Sequence, residues 1–325
     1  MKKIAILTSG GDCSGMNACI RACVRFALHE GLEVVGIKRG YAGLLDREFI
    51  PLDSKSVSGI LQRGGTILLT ARCEEFKTEE GQRKAVKILE EEKIDGLIVI
   101  GGDGSLRGAN VLHNMGVKVI GIPASIDNDI YGTDMSIGVD TSLNIIINAV
   151  DCIKDTASSH ERAFIIEVMG RNCGYLALAS GIACGAEAVI IPEIPYNLDK
   201  IAELLYSRYK QGKTNSIIIV AEGAASAYEI QRKLKGLVGY ETRITVLGHY
   251  QRGGYTSVFD RILASRFGRV AVELLLNNKS GLMVGLWDGS IKPIELTKVI
   301  NTKKLLDFRL LKLAEVLVWK KDITL

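Results

Sequence analysis

The chain has no CxxC pair and no histidine cluster beside its seven cysteines, at positions 13, 19, 23, 73, 152, 173 and 184. That spacing argues against both a zinc site and a disulfide framework and predicts buried, reduced thiols. Only 5 prolines accompany 35 glycines, so the glycines read as strand-to-helix turns rather than as parts of a disordered chain. Excess charge of one sign is small: the net charge is +4, and no Lys/Arg block is long enough for a nucleic-acid footprint. Small anions suffice as partners. No apolar run reaches the roughly 18 residues that signal a membrane helix. The most apolar late stretch, Cys173 to Pro192, is broken by Glu187 and many small residues. Lys2-Lys3 leads at once into a strand pattern rather than a signal-peptide core, so a cytoplasmic protein is expected, without membrane or nucleic-acid partners. Neither a repeat of solenoid length nor a low-complexity linker is present.

With 325 residues, 47% hydrophobic and 24% charged, the chain exceeds one ordinary core and predicts two lobes. Residues 3 to 8, KIAILT, read as a buried strand that Ser9-Gly10-Gly11-Asp12 breaks before the helical pattern of Met16 to Glu30. A glycine pair alone means only a tight turn. Further strands are expected at Glu33 to Lys38, Arg162 to Met169, Glu187 to Pro192, Ser216 to Ala221 and Val284 to Leu286. Helices are expected at Gln82 to Lys93, Ser142 to Ala157, Arg261 to Leu276 and Thr302 to Val318. Alternating strands and helices predict an α/β fold: two Rossmann-like lobes with mostly parallel sheets and the active site in the cleft between them. The lobes are placed at 1 to 138 plus 251 to 300, and at 139 to 250 plus 301 to 325.

The most informative stretch runs from Gly96 to Asp129. Its first strand ends in Gly101-Gly102-Asp103-Gly104-Ser105, where the lack of Cβ atoms lets a phosphate approach the backbone. Its second, Val117 to Ile122, delivers Asp127, Asn128 and Asp129. A phosphate loop beside a carboxylate pair points to phosphoryl transfer with a divalent metal. Arg72 follows a glycine bend at Arg63 to Thr66; an exposed arginine is more often merely solvated, but here a forked donor could clamp a phosphate. Arg171 in Gly170 to Gly174 is placed to neutralise charge on a transferring group. His249, Arg252, Gly253 and Gly254 make an anion site about as credible as a structural histidine.

Together the motifs LTSGGDCSGMNACIR (7 to 21), RGGT (63 to 66), VIGGDGS (99 to 105), SIDNDIYGTD (125 to 134), SSHERAFIIEVMGRNCG (158 to 174) and VLGHYQRGG (246 to 254) closely resemble the bacterial 6-phosphofructokinase family. The resemblance spans nearly the whole chain. It implies transfer of the ATP γ-phosphoryl group to O1 of fructose 6-phosphate. It assigns ATP to Gly11, Arg72, Cys73, Gly102, Asp103, Gly104 and Ser105, with Asp103 as the Mg²⁺ ligand. Asp127 becomes the general base, Asp129 supports the metal, and Gly11 and Arg171 stabilise the spreading charge. The sugar phosphate falls to Ser125, Ile126, Asp127, Met169, Gly170, Arg171, Glu222, His249, Tyr250, Gln251 and Arg252, with Arg162 and Arg243 from a neighbouring copy. Sites shared in this way imply a homotetramer.

Ser125 stands where the family usually has threonine, and Cys73 where it has an aromatic. Gly104 and Ala124 stand where pyrophosphate-using relatives carry Asp and Lys. An aspartate at 104 would repel the ATP α-phosphate and a lysine at 124 would compete for its space, so the small residues favour ATP over the pyrophosphate-dependent alternative. A nicotinamide oxidoreductase is disfavoured because Gly10, Gly11 and Gly15 do not make GxGxxG. A non-catalytic nucleotide-binding module is the remaining reading from another class, and Asp103 and Asp127 together argue against it. For the family's ADP or phosphoenolpyruvate effector site, Arg21, Arg25, Lys154, Gly185, Glu187 and Lys213 match in place or charge. Ser54, Gly59, Gln211 and Asn215 replace Arg, Asp, Lys and His. Each lost cation removes a phosphate bond worth roughly 1.5 to 3 kcal/mol before desolvation. Weak or altered allostery is expected: initial rates titrated with ADP and phosphoenolpyruvate should change little, and strong sigmoidal inhibition by phosphoenolpyruvate would contradict this.

Overall fold

Runs such as GLIVIG and SIIIVA, apolar on both faces, suit strands covered on both sides, and these are parallel and fully buried in the computed structural model, which describes residues 1–319. The C-terminal end of the predicted second lobe, residues 320 to 325, lies outside the described residues. The chain forms two compact units, Met1–Thr141 with Arg252–Lys304, and Ser142–Gln251 with the segment from Leu305 on.

The first unit opens with β1 (Lys3–Ser9), α1 (Met16–His29), β2 (Glu33–Ile37), α2 (Tyr41–Leu45) and β3 (Phe49–Pro51). It continues through α3 (Glu79–Glu91), β4 (Gly96–Gly101), α4 (Asp103–Asn114) and β5 (Val119–Pro123), to the start of α5 (Val139–Ser159). The second unit holds β6 (Arg162–Val168), α6 (Tyr175–Cys184), β7 (Ala188–Ile190), α7 (Leu198–Lys210), β8 (Ser216–Ala221), α8 (Ala227–Leu234) and β9 (Glu241–Val246). The chain then returns to the first unit with α9 (Val258–Leu276), β10 (Leu282–Trp287), β11 (Ser290–Glu295) and α10 (Leu296–Asn301), and ends in the second with α11 (Phe308–Ala314).

The first sheet has the order β11-β10-β5-β4-β1-β2-β3. Its outermost strands, β3 and β11, pair antiparallel and carry Pro51 and Pro293, which cannot extend a hydrogen-bonded ladder. The second sheet, β7-β8-β6-β9, is parallel throughout. In each sheet the order of winding reverses once, beside β1 in the first and beside β6 in the second. Such reversal points open a crevice beyond the carboxyl ends of the strands, where ligands bind.

Some expectations need correction. Thr302 to Val318 does not form one helix: α10 ends at Asn301, the next six residues are irregular, and α11 is followed by a π-helical turn at Glu315–Trp319. The antiparallel strand β11 was not expected because its half-exposed, charged pattern carries no apolar signal. Nor was β9, an edge strand with exposed Glu241. Cys13, Cys19, Cys23 and Cys184 are buried, but Cys73 and Cys173 are only half-buried and Cys152 is exposed. Among the described residues no helix is long and apolar enough to cross a membrane.

One buried carboxylate secures the first unit where α9 begins. Asp260, fully buried, accepts hydrogen bonds from the Gly138 N–H at 2.9 Å, the Thr141 N–H at 2.8 Å and the Thr141 hydroxyl at 2.6 Å. Burial pushes its carboxyl from 3.8 up to about 6, with the Thr141 and Gly138 bonds pulling against that shift. The folded value exceeds the unfolded one, so this group's contribution is full below about 4 and is lost as pH rises through about 6. Asp260→Ala strands three buried donors and should lower stability by about 2 to 4 kcal/mol. Urea denaturation at about pH 5, before that loss is complete, measures this; a loss under about 0.5 kcal/mol would contradict it.

Candidate active site

The parallel ladder aligns Ser9 with Gly101 and Gly101 with Pro123. Three loops therefore leave β1, β4 and β5 side by side: Gly10-Gly11-Asp12, Gly102-Asp103-Gly104-Ser105 and Ser125-Ile126-Asp127-Asn128-Asp129. The Ala124 N–H donates to the Gly101 carbonyl at 2.9 Å, tying the second loop to the third. The Thr70 hydroxyl donates to the Gly10 carbonyl at 2.7 Å, which brings the segment carrying exposed Arg72 and half-buried Cys73 to the first.

Helix α4 begins at Asp103 itself, so the backbone N–H groups of the glycine loop open onto a helix N-terminus, a favourable place for phosphate. Asp103 pairs with Arg107, one turn on, at 2.8 Å; both side chains are about half exposed. The loop is braced from behind by Tyr41, a residue outside every sequence-based site assignment. Its hydroxyl donates to the Ser105 carbonyl at 2.7 Å, and its ring stacks on Phe76 with centroids 4.0 Å apart. Burial raises the Tyr41 hydroxyl far above its usual range, keeping it a neutral donor. Gly108 in α4 leaves room for that ring: a Cβ there would sit 2.7 Å from it. Arg252 lies directly over Gly11 and donates to the Asp12 carbonyl at 3.1 Å, so a side chain at Gly11 would collide with its guanidinium.

In the third loop Asp127 is 3% exposed, and the Ser125 hydroxyl reaches the Asp129 carboxylate at 3.4 Å. Among the described residues no group of three or more His, Cys, Asp or Glu could hold a metal by itself. The half-exposed Asp103 carboxylate nonetheless suits Mg²⁺, which keeps several waters and takes one or two carboxylates together with substrate phosphates.

The second unit repeats the arrangement. Loops leave β6, β8 and β9 at Met169-Gly170-Arg171, at Glu222 and at His249-Tyr250-Gln251. The Arg171 N–H donates to the Glu222 carboxylate at 2.9 Å, and the Met169 N–H to the Gln251 side-chain oxygen at 3.2 Å. Gln251, 1% exposed, also donates to the Gly248 carbonyl at 3.0 Å, so it organises these loops, while His249 and Tyr250 are exposed. Arg162 and Arg243 are not in this group. Arg162 begins β6 and Arg243 lies within β9, both paired with Glu241, at 2.7 Å and 2.5 Å. The Arg162 hydrogen bond, with Arg243 nearby, holds the Glu241 carboxyl below its usual range.

Of the residues expected at an effector site, Lys154, Gly185, Glu187 and Lys213 come together in the second unit, whereas Arg21 and Arg25 are on α1 of the first. Glu187 is 5% exposed and already bound: Lys213 and Arg208 pair with it, Arg208 at 3.2 Å, and the Ile217 N–H donates to it at 2.6 Å. Arg208, on α7, was not expected there; a charge in the last turn of a helix looks like an ordinary dipole contact.

The family profile described as Phosphofructokinase matches residues 3–275. The chain belongs to the phosphofructokinase family. Among its relatives, the ATP-dependent 6-phosphofructokinase of Thermotoga neapolitana is 55% identical over 98% of this chain and 100% of the relative. That of Clostridioides difficile is 53% identical over 98% of this chain and 99% of its own length. The solved phosphofructokinase of Saccharomyces cerevisiae matches with a TM-score of 0.88 and 39% identity over 92% of this chain, which spans 45% of the yeast chain. A pyrophosphate-dependent phosphofructokinase from Marinobacter aquaeolei shares the fold, with a TM-score of 0.84 at 24% identity over 95% of this chain and 86% of that one.

Because Tyr41 reaches the Ser105 carbonyl with a single hydroxyl, Tyr41→Phe should cost about 1 kcal/mol of stability while leaving the stacked ring in place. Urea midpoints measure it; a variant as stable as the parent would show that the bond contributes nothing.

Proposed function

We propose that this chain is an ATP-dependent 6-phosphofructokinase, transferring the γ-phosphoryl group of ATP to O1 of fructose 6-phosphate and releasing fructose 1,6-bisphosphate and ADP. The observation that carries this reading is the flush ending of β1, β4 and β5, which sets the phosphate loop beside the loop holding Asp127 and Asp129. It is supported by relatives named for that activity over nearly the whole chain. The first unit then serves ATP, through Gly11, Arg72, Cys73 and Gly102 to Ser105, and the second serves fructose 6-phosphate.

Asp127 accepts the proton of the sugar hydroxyl as its oxygen attacks the γ-phosphorus, and Ser125 orients that hydroxyl. The Gly11 N–H and the Arg171 guanidinium stabilise charge on the transferring oxygens. Asp103 would hold Mg²⁺ with Asp129 in support, and the ion would supply positive charge to the ATP phosphates. Glu222, Met169, His249 and Arg252 bind the sugar phosphate. Arg162, the first residue of β6, and Arg243, within β9, serve a neighbouring copy's 6-phosphate in a homotetramer, exchanging Glu241 for the phosphate. ADP or phosphoenolpyruvate would meet an effector site whose Glu187 is already neutralised, in keeping with a weak response. A glycolytic enzyme of this kind works in the cytoplasm.

Gly104 favours ATP as donor. Among the described residues, leaving aside its chain neighbours and its own helix backbone, nothing comes within 4 Å of a Cβ placed there, so packing does not demand glycine. Initial rates with ATP and with pyrophosphate, each against fructose 6-phosphate, test the reading. ATP should support turnover and pyrophosphate should not, and turnover with pyrophosphate alone would overturn it. Asp127→Ser should lower kcat by about three orders of magnitude or more with little change in either KM. Near-normal turnover in that variant would reject Asp127 as the base.

A further inference from the structure

The loop carrying the two central carboxylates is closed by a residue far outside its motif. Asn128, 1% exposed, stands between Asp127 and Asp129 with φ 53°, a left-handed conformation that asparagine tolerates better than most residues. That conformation turns the chain sharply between the two acids, so whatever holds Asn128 also sets where they point. Its side-chain nitrogen donates to the Asp134 carbonyl at 3.0 Å. Its side-chain oxygen accepts from the Ser136 N–H at 3.1 Å and from the Lys304 ammonium at 3.0 Å. Lys304 also donates to the Asp134 carbonyl at 3.1 Å, so one ammonium bridges both ends of the 128 to 134 turn.

Lys304 is the last residue of the first unit, on the irregular segment after α10 and 176 positions beyond Asn128. Its half-buried ammonium holds both oxygens through hydrogen bonds from a charged donor, roughly twice as strong as neutral ones. We propose that Lys304 is a positioning residue for the phosphoryl-transfer reaction: by pinning Asn128 and the Asp134 carbonyl it fixes the left-handed turn that orients Asp127 and Asp129. Its effect on turnover rests on the reading of Asp127 as the base, whereas its hold on the turn does not.

Lys304→Met and Lys304→Arg in the full-length chain test this by two readouts. Amide hydrogen exchange at Ser136, whose N–H bonds to Asn128, requires no substrate; Lys304→Met should speed it at least about tenfold, and Lys304→Arg should hold it near the parent rate. In steady-state assays Lys304→Met should lower kcat about tenfold while both KM values stay within about twofold, and arginine should restore kcat. Unchanged exchange at Ser136 in Lys304→Met overturns the clamp, whatever reaction the protein catalyses. Faster exchange with unchanged kcat in an active enzyme overturns the positioning role. A matching rise in exchange throughout the first unit would mark Lys304 as a general stabiliser and likewise overturn it.

Discussion

Everything chemical in the first unit depends on the register of three parallel strands. Because Ser9, Gly101 and Pro123 lie across from one another, β1, β4 and β5 end together, and the loops that follow open on the same edge of the sheet. A slip of one residue in β4 would turn every side chain of that strand to the other face and move Asp103 away from the third loop. The ladder is secured by complete burial of β4 and by antiparallel outer strands whose prolines end further pairing.

The second unit obeys the same rule with a smaller sheet. Its winding reverses beside β6, so the loops after β6, β8 and β9 meet, and backbone N–H groups of Met169 and Arg171 are held by the side chains of Gln251 and Glu222. Here the loop backbone is set by polar side chains from other loops rather than by apolar packing, so single residues such as Gln251 control the site's shape.

Several of the charges proposed to bind ligands already have intramolecular partners. Asp103 pairs with Arg107, and Arg162 and Arg243 share Glu241. Exposed pairs of this kind are worth roughly 0 to 1 kcal/mol, so a metal or phosphate can replace them at little cost. Glu187 differs because it is buried: breaking its contacts with Arg208 and Lys213 would strand a desolvated charge. The same chemistry therefore yields exchangeable partners at the proposed active site and a closed cluster at the proposed effector site.

The primary structure by itself determined the α/β class, most strands, the glycine loops and the acidic pair, because each is encoded locally, in apolar periodicity or in residues needed at adjacent positions. Edge strands β9 and β11 escaped because strands exposed on one side lack a continuous apolar signal, and the break in the predicted closing helix escaped because its apolar spacing continues across irregular backbone. Tyr41 under the Ser105 carbonyl, Arg208 on Glu187, Arg252 over Gly11 and Lys304 on Asn128 could be decided only by the tertiary structure. Those contacts join residues 21 to 241 positions apart, and nothing local distinguishes such a tyrosine, arginine or lysine from one that merely faces solvent or fills a core.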